Sequence, residues 1–188
     1  MPLSKVQSGG ISLSDNFAFT GTVSGAGTIL QIKRNQFTGT NQVTIAADTD
    51  TVFTDLTVNI TPSFTSSIIK IDCQITGEFA NQGAATDCTW FFYRDTTKLS
   101  APVVGSRNTG IKMGANISYA ASNATSTPES TKYSYFDSPS STSQITYKVG
   151  IHVSQGAYDY YLNRTVSDID GVAYERGISF ITATEIAG

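Results

Sequence analysis

Residues 135–153, YFDSPSSTSQITYKVGIHV, decide the fold class of this chain. After a turn-forming run, apolar residues alternate with polar ones from Ile145 to Val153. A period of two puts one set of side chains on each face of a β-strand, whereas a helix needs a period of about 3.6. We therefore predict two strands joined by a turn, with Asp137 and Ser138 as ordinary turn residues rather than groups for catalysis.

Strand-like segments continue on both sides of this stretch. About ten runs rich in Val, Ile, Thr, Tyr and Phe fill residues 28–188, with turn signals at spacings of roughly 8 to 14 residues. They include LTVNIT at 56–61, SIIKIDCQITGEF at 67–79 and QITYKVGIHV at 144–153. Hydroxyl side chains supply the surface polarity, since there are 22 Ser and 26 Thr, and the charged fraction is only 14%. We predict an all-β fold, an antiparallel and jelly-roll-like β-sandwich over residues 28–188.

Residues 1–27 differ from the rest of the chain. They are rich in Gly and Ser and almost uncharged, yet a pure linker would not carry so many apolar side chains. The segment is predicted to be either an arm that lies against another surface or a pair of edge strands. The predicted docking residues of the arm are Ile11, Leu13, Phe17 and Phe19.

Two predicted strands carry bulky groups on both faces. A half-buried antiparallel strand should leave one face polar, so the second face needs a cover. Either loops of the same chain or another subunit could supply it, and aromatic residues are typical of subunit interfaces. We predict a subunit interface, and its residues are Phe91, Tyr93, Tyr158 and Tyr160.

The two cysteines raise the question of a disulfide. If the strand around Cys73 forms a hairpin with the strand around Cys88, the two residues come opposite each other, and a cross-strand bridge is conceivable. No export signal accompanies them, so two buried free thiols are the favoured prediction.

Charge and hydropathy limit the classes of partner. The net charge is −3, and the 12 basic residues are scattered, with Lys33 and Arg34 as the nearest approach to a basic patch. Because phosphate backbones are bound by clustered Lys and Arg, nucleic acid is not an expected partner. No window approaches about 18 consecutive apolar residues, so membrane insertion is not predicted either.

Candidate catalytic groups are few. His152 is the single histidine, at an outward strand position, and no G-x-S-x-G motif surrounds Ser138, so no Ser-His-Asp triad is predicted. Carboxylates that could pair for glycoside hydrolysis lie in predicted loops, where they are ordinarily solvated. They are Asp48, Asp50, Asp168, Asp170 and Glu175. We predict no enzymatic activity, no cofactor and no metal site, while a loop Ca²⁺ stays an open alternative.

Several phrases of the sequence resemble a group of bacteriophage virion proteins of cyanophage type. They are MPLSKVQSGGISLSDNFAFTGTVSGAG at 1–27, LTVNITPSFTSSIIKI at 56–71, FYRDTTKL at 92–99, FDSPSSTSQITYKV at 136–149 and RGISFITATEIAG at 176–188. The group includes capsid decoration or cement proteins and the C-terminal domains of tail-fibre-like proteins. The shared phrases are strand and turn signatures, which are specific for lineage rather than for role.

The resemblance implies a homotrimeric protein on the virion surface that is synthesised in the host cytoplasm. Its expected partners are further copies of itself and the major capsid protein or other virion proteins, with the arm docking on capsid subunits. The alternative is a receptor- or carbohydrate-binding module of a tail fibre, with a host surface glycan as partner. The aromatic residues weighed for stacking on sugars are Tyr119, Tyr133 and Tyr174.

Overall fold

The computed structural model describes residues 26–115 and 126–188. Within these ranges the chain forms strands joined by turns and one short helix, α1 (Gln82–Thr86). The strands are β1 (Ile29–Phe37), β2 (Asn41–Ile45), β3 (Thr51–Ile60), β4 (Ile68–Phe79), β5 (Cys88–Arg94), β6 (Thr97–Leu99), β7 (Lys112–Met113), β8 (Glu129–Asp137), β9 (Ile145–Val153), β10 (Tyr158–Leu162) and β11 (Ser179–Ile186). The predicted all-β class is confirmed.

The strands form two antiparallel sheets. In sheet A, β4 pairs with β8 along one edge and with β11 and then β10 along the other, and β1 and β2 extend the sheet beyond β11 and β10. In sheet B the order is β3-β9-β5, and the far edge of β5 pairs with β7 and β6. The sandwich-like arrangement is therefore as predicted, while the jelly-roll connection and the trimer remain predictions.

The core lies between the inner faces of the two sheets. Alternate residues of β4 and β9 are buried there, as a period of two requires. An aromatic group fills the centre, with the rings of Phe53, Phe79, Trp90 and Tyr160 in contact at centroid distances of 4.8–6.3 Å. Most of these contacts are edge-to-face, the arrangement that aromatic quadrupoles favour.

The connection between β4 and β5 corrects one prediction. The two strands do not form a hairpin, because α1 carries the chain from sheet A to sheet B. Asn81 begins this helix by accepting a hydrogen bond at its side chain from the Gly83 N–H. Strands that are consecutive in sequence thus lie on opposite sides of the core. Among the described residues, no helix is long and apolar enough to cross a membrane.

Candidate functional site

The outer face of sheet B carries the candidate site. Strand register sets Lys148 opposite Tyr93, Gly150 opposite Phe91, and His152 opposite Thr89. These side chains point away from the core, because the intervening residues of β5 and β9 are the ones in the core cluster. Asp50, just before β3, comes beside His152 by the same register. The Asp50 cluster is defined here as Asp50, Tyr93, Lys98 and His152.

Asp50 is the hub of this cluster. Its Oδ1 accepts hydrogen bonds from Lys98 Nζ at 2.9 Å and His152 Nδ1 at 3.0 Å, and its Oδ2 accepts one from the Tyr93 hydroxyl at 2.9 Å. Partial burial alone would raise the pKa of Asp50, but these three donors outweigh it and lower the pKa. The carboxylate is therefore held ionised, which fixes the positions of its three partners.

Phe91 is covered by its own chain although it points outward. Its ring packs over Gly150, where any added Cβ would overlap it, and Lys98 Nζ lies 3.9 Å from the ring centroid. The Tyr93 ring meets it edge-on at 5.5 Å. Phe91 is 0% exposed. The predicted subunit interface is wrong for this residue, because the second face of β5 is closed by neighbouring side chains of the same chain.

Of the other three predicted interface residues, one is buried and two are partly exposed. Tyr160 is 2% exposed and belongs to the central aromatic group, so a partner subunit cannot reach it. Tyr93 and Tyr158 keep partial exposure, and Tyr158 packs on the margin of the core. For these two tyrosines the interface stays a prediction.

A shallow open cavity lies beside the Asp50 cluster. Its volume is about 280 Å³, and it opens toward solvent between β3, β9 and the β5–β6 turn. It is lined by Asp50, Val52, Tyr93, Asp95, Thr96 and Lys148. Asp95 has a left-handed backbone with φ of 52°, which the two-residue turn from β5 to β6 requires. The turn thereby becomes one wall of the cavity.

His152 is held between carboxylates. Its side chain is 9% exposed, with Nε2 at 3.4 Å from Asp48 Oδ1. Nε2 makes no hydrogen bond to the described residues, so no hydroxyl is placed for the imidazole to activate. The outward strand position was predicted, and the burial comes from the turn before β3 that carries the two aspartates.

The cysteines are free and lie apart in the fold. Cys73 in β4 pairs with Ile181 and Tyr133 within sheet A, whereas Cys88 pairs with Val153 in sheet B. The hairpin on which the conceivable bridge depended does not exist. Burial raises the pKa of Cys88 to about 12, and it raises the pKa of Cys73 as well.

The remaining predicted carboxylates do not converge. Asp168 makes a two-pronged ion pair with Arg176, and Glu175 accepts a hydrogen bond from Thr127. Asp170 is exposed in the same loop. In residues 26–115 and 126–188, no three His, Cys, Asp or Glu side chains are grouped to hold a metal ion.

A second surface feature lies on the outer face of sheet A. Ile29, Ile186 and Ile68 are neighbours across three strands, and in the next row Ile32 and Phe136 flank Thr184 and Lys70. Ile29, Ile32 and Phe136 are each 59% exposed. These five apolar residues are called the sheet A patch below. It adjoins the point where the chain enters β1, at which Gly27 N–H donates to the Ala187 carbonyl.

Some predicted residues lie outside the described ranges. They are the arm residues Ile11, Leu13, Phe17 and Phe19, and also Tyr119. Tyr133, weighed for sugar stacking, packs on Phe92 and donates its hydroxyl to the Phe91 carbonyl, so its ring faces the core. Tyr174 is partly exposed in the loop before β11.

The sequence analysis missed the side chains that make the cavity. Asp95, Thr96 and Lys148 line it and are each unremarkable in sequence, as is Lys98 of the Asp50 cluster, and only the antiparallel pairing of β5, β6 and β9 brings them together. Two features of the sequence could have indicated these residues: Lys148 is at an outward position of its alternating strand, and Asp95 is in a two-residue turn.

Comparison with known proteins finds no matching protein-family model and no matching curated protein.

Proposed function

We propose that this chain is a non-enzymatic structural protein of a phage virion, a homotrimeric capsid decoration or head-fibre protein. The sheet A patch carries the proposal. Three of its five apolar side chains are more than half exposed, namely Ile29 and Ile32 on β1 and Phe136 on β8. These two strands are separated by β11 and β4, whose Ile186 and Ile68 extend the row from Ile29 toward β8. An exposed apolar area of this kind is typical of a protein-protein contact rather than of a free surface.

The position of the patch fits this role. It lies at the end of sheet A where residues 1–27 join β1, so an arm that docks on capsid subunits would leave the domain beside it. The polar cluster on the opposite sheet supports a non-enzymatic role, because three donors hold Asp50 in place and no hydroxyl of the described residues is hydrogen-bonded to His152 Nε2. The expected location is the virion surface.

The native mass of the purified chain tests the trimer. We expect a species of three times 20.0 kDa by light scattering. Phe136→Glu should shift it toward the monomer, because the variant loses the apolar contact of the ring and has to desolvate a carboxylate on association. Ser134→Glu, on the same strand and the same outer face two residues away, is the matched control and should leave the mass unchanged. A monomer at every concentration contradicts the homotrimer.

Particle incorporation tests the location. A chain that lacks residues 1–20 should fold, with the circular dichroism of the full chain, but fail to join particles. Incorporation at the level of the full chain would rule out the docking role of the arm.

A second candidate function is a receptor- or carbohydrate-binding module on a fibre. The cavity beside Asp50 favours it, since that cavity lies on sheet B, on the side of the sandwich opposite the sheet A patch. If sheet A faces partner proteins, this side is turned to the medium.

A further inference from the structure

The cavity beside Asp50 has unused hydrogen-bonding capacity. The Lys148 ammonium makes one hydrogen bond to the described residues, to the Asp95 carbonyl at 2.8 Å, and it has three N–H donors. Asp95 Oδ1 accepts from the Thr146 N–H at 2.9 Å, and its Oδ2 has no described partner. The rim therefore offers donors and acceptors side by side, together with the exposed Thr96.

The charges around the cavity balance. Among the lining residues, Asp50 and Asp95 carry negative charge and Lys148 carries positive charge, and Lys98, which does not line the cavity, neutralises Asp50 through an ion pair at 2.9 Å. With Asp50 neutralised in this way, a phosphorylated or sulfated ligand would meet the Asp95 carboxylate, and a cationic one would meet the Lys148 ammonium. This balance favours a neutral ligand, and alternating donors and acceptors suit a molecule whose groups both donate and accept, which hydroxyls do.

The floor of the cavity is rigid and partly apolar. Val52 supplies an aliphatic surface, and Tyr93 supplies an aromatic one. The tyrosine is fixed at both ends, since its hydroxyl is bonded to Asp50 and its ring meets Phe91. A fixed aromatic side chain gives contact area at little entropic cost on binding. The C–H face of a sugar ring fits such a floor.

We propose that this cavity is a binding subsite for one residue of a neutral, polyhydroxylated glycan. The inference rests on the second candidate function and supplies its site and its ligand class. A volume of about 280 Å³ is just below the usual range for small-molecule pockets, about 300–1,000 Å³, so one sugar ring is accommodated rather than a longer chain. The glycan contacts would come from Asp95, Thr96, Lys148 and Tyr93.

Titration of the full chain with free sugars, followed by amide chemical shifts in NMR, tests this proposal. The probes are glucose, galactose and N-acetylglucosamine, with glucose 6-sulfate as the anionic comparison. We expect saturable shifts at Tyr93, Thr96 and Lys148 with at least one neutral sugar, and a weaker response to the sulfated one. No saturable shift with any neutral sugar, or shifts confined to other parts of the chain, would overturn the proposal.

Two conservative variants locate the contacts. Asp95→Asn keeps an acceptor for the Thr146 N–H and tolerates the left-handed backbone, but it removes one carboxylate oxygen. Asp95→Asn and Lys148→Gln should each weaken sugar binding at least fivefold. Lys70→Gln, on the outer face of sheet A, is the control and should bind as the native chain does. Equal affinity for all three variants would also overturn the subsite. Saturable shifts confined to another part of the chain would overturn this subsite but leave the carbohydrate-binding function standing, whereas the absence of any shift would count against both, so the two failures are distinguishable.

Discussion

The Arg94 guanidinium forms an ion pair with the Asp137 carboxylate, and this pair links the two sheets. Nη1 of Arg94, in β5 of sheet B, lies 2.9 Å and 3.1 Å from the two carboxylate oxygens of Asp137, at the end of β8 in sheet A. The Tyr147 hydroxyl adds a third hydrogen bond to the same carboxylate at 2.7 Å. Asp137 is only 7% exposed at its side chain. This turn aspartate therefore joins the layers of the sandwich.

Removing this ion pair should destabilise the protein. Arg94→Met leaves a buried carboxylate with one donor fewer, and we expect the free energy of unfolding to fall by about 2–4 kcal/mol. Urea denaturation measures it. Lys70→Met, which breaks the more exposed pair with Asp72, should cost less than about 1 kcal/mol and serves as the matched control. Equal losses in the two variants would mean that the pair does not join the sheets.

Acid should weaken the fold through Glu185. This side chain is 0% exposed and accepts hydrogen bonds from Gln31, Ser63 and Ser67. Burial alone would raise the pKa of Glu185, but those bonds outweigh it and lower the pKa below its usual 4.5. The unfolded chain then binds the proton more readily. The contribution to stability is full above pH 4.5 and is lost as the pH falls through the folded pKa.

Glu185→Gln should flatten this dependence. Denaturation at a series of pH values below 4.5 should show a smaller slope of unfolding free energy against pH than in the native chain. Glu175→Gln alters an exposed carboxylate and should keep the native slope. If Glu185→Gln also keeps it, the buried carboxylate is not the acid-sensitive group.

Gly150 should not tolerate a side chain. Alanine there would overlap the Phe91 ring, and overpacking of this kind costs about 1–3 kcal/mol. The double variant Gly150→Ala with Phe91→Leu should lose less stability than the sum of the two single variants, because the smaller leucine leaves room for the alanine methyl group. Gly171→Ala, where the nearest atom to an added Cβ is 3.5 Å away, should be nearly neutral in thermal melting.

Both thiols should be unreactive toward thiol reagents in the folded protein. Cys73 and Cys88 are buried and free, and burial suppresses the reactive thiolate. We expect a thiol reagent to modify neither residue until denaturant is added, and the melting temperature to be the same with and without reductant. A melting temperature that drops on reduction would falsify the free-thiol state.

The alternation of apolar and polar residues was enough to predict most of the strands. Residues 144–153 were predicted as a strand and form β9 (Ile145–Val153), and the run from Ser67 to Phe79 gives β4 (Ile68–Phe79). In β3 the prediction found only the second half. The irregularity between Phe53 and Thr57 shifts the register there, so the alternation is interrupted.

The candidate site could not be predicted in the same way. A pattern shows which face of a strand is apolar, but it does not show what lies on that face. Phe91 is covered by Gly150 and Lys98, and Asp50 meets His152, which is 102 residues away in the sequence. Such partners are set by which strands pair. The sequence pattern left that order open, and it misplaced β4 and β5 in one hairpin.

The pairing of β1 with β11 has a consequence for biosynthesis. The first described strand finds its partner only when residues 179–186 have been made, so β1 emerges from the ribosome on the order of ten seconds earlier. Until then its amide groups and its two exposed isoleucines lack their neighbours, which invites pairing with other nascent chains. Lys33 and Arg34 in the middle of β1 would repel the same strand of other nascent chains until β11 has been synthesised.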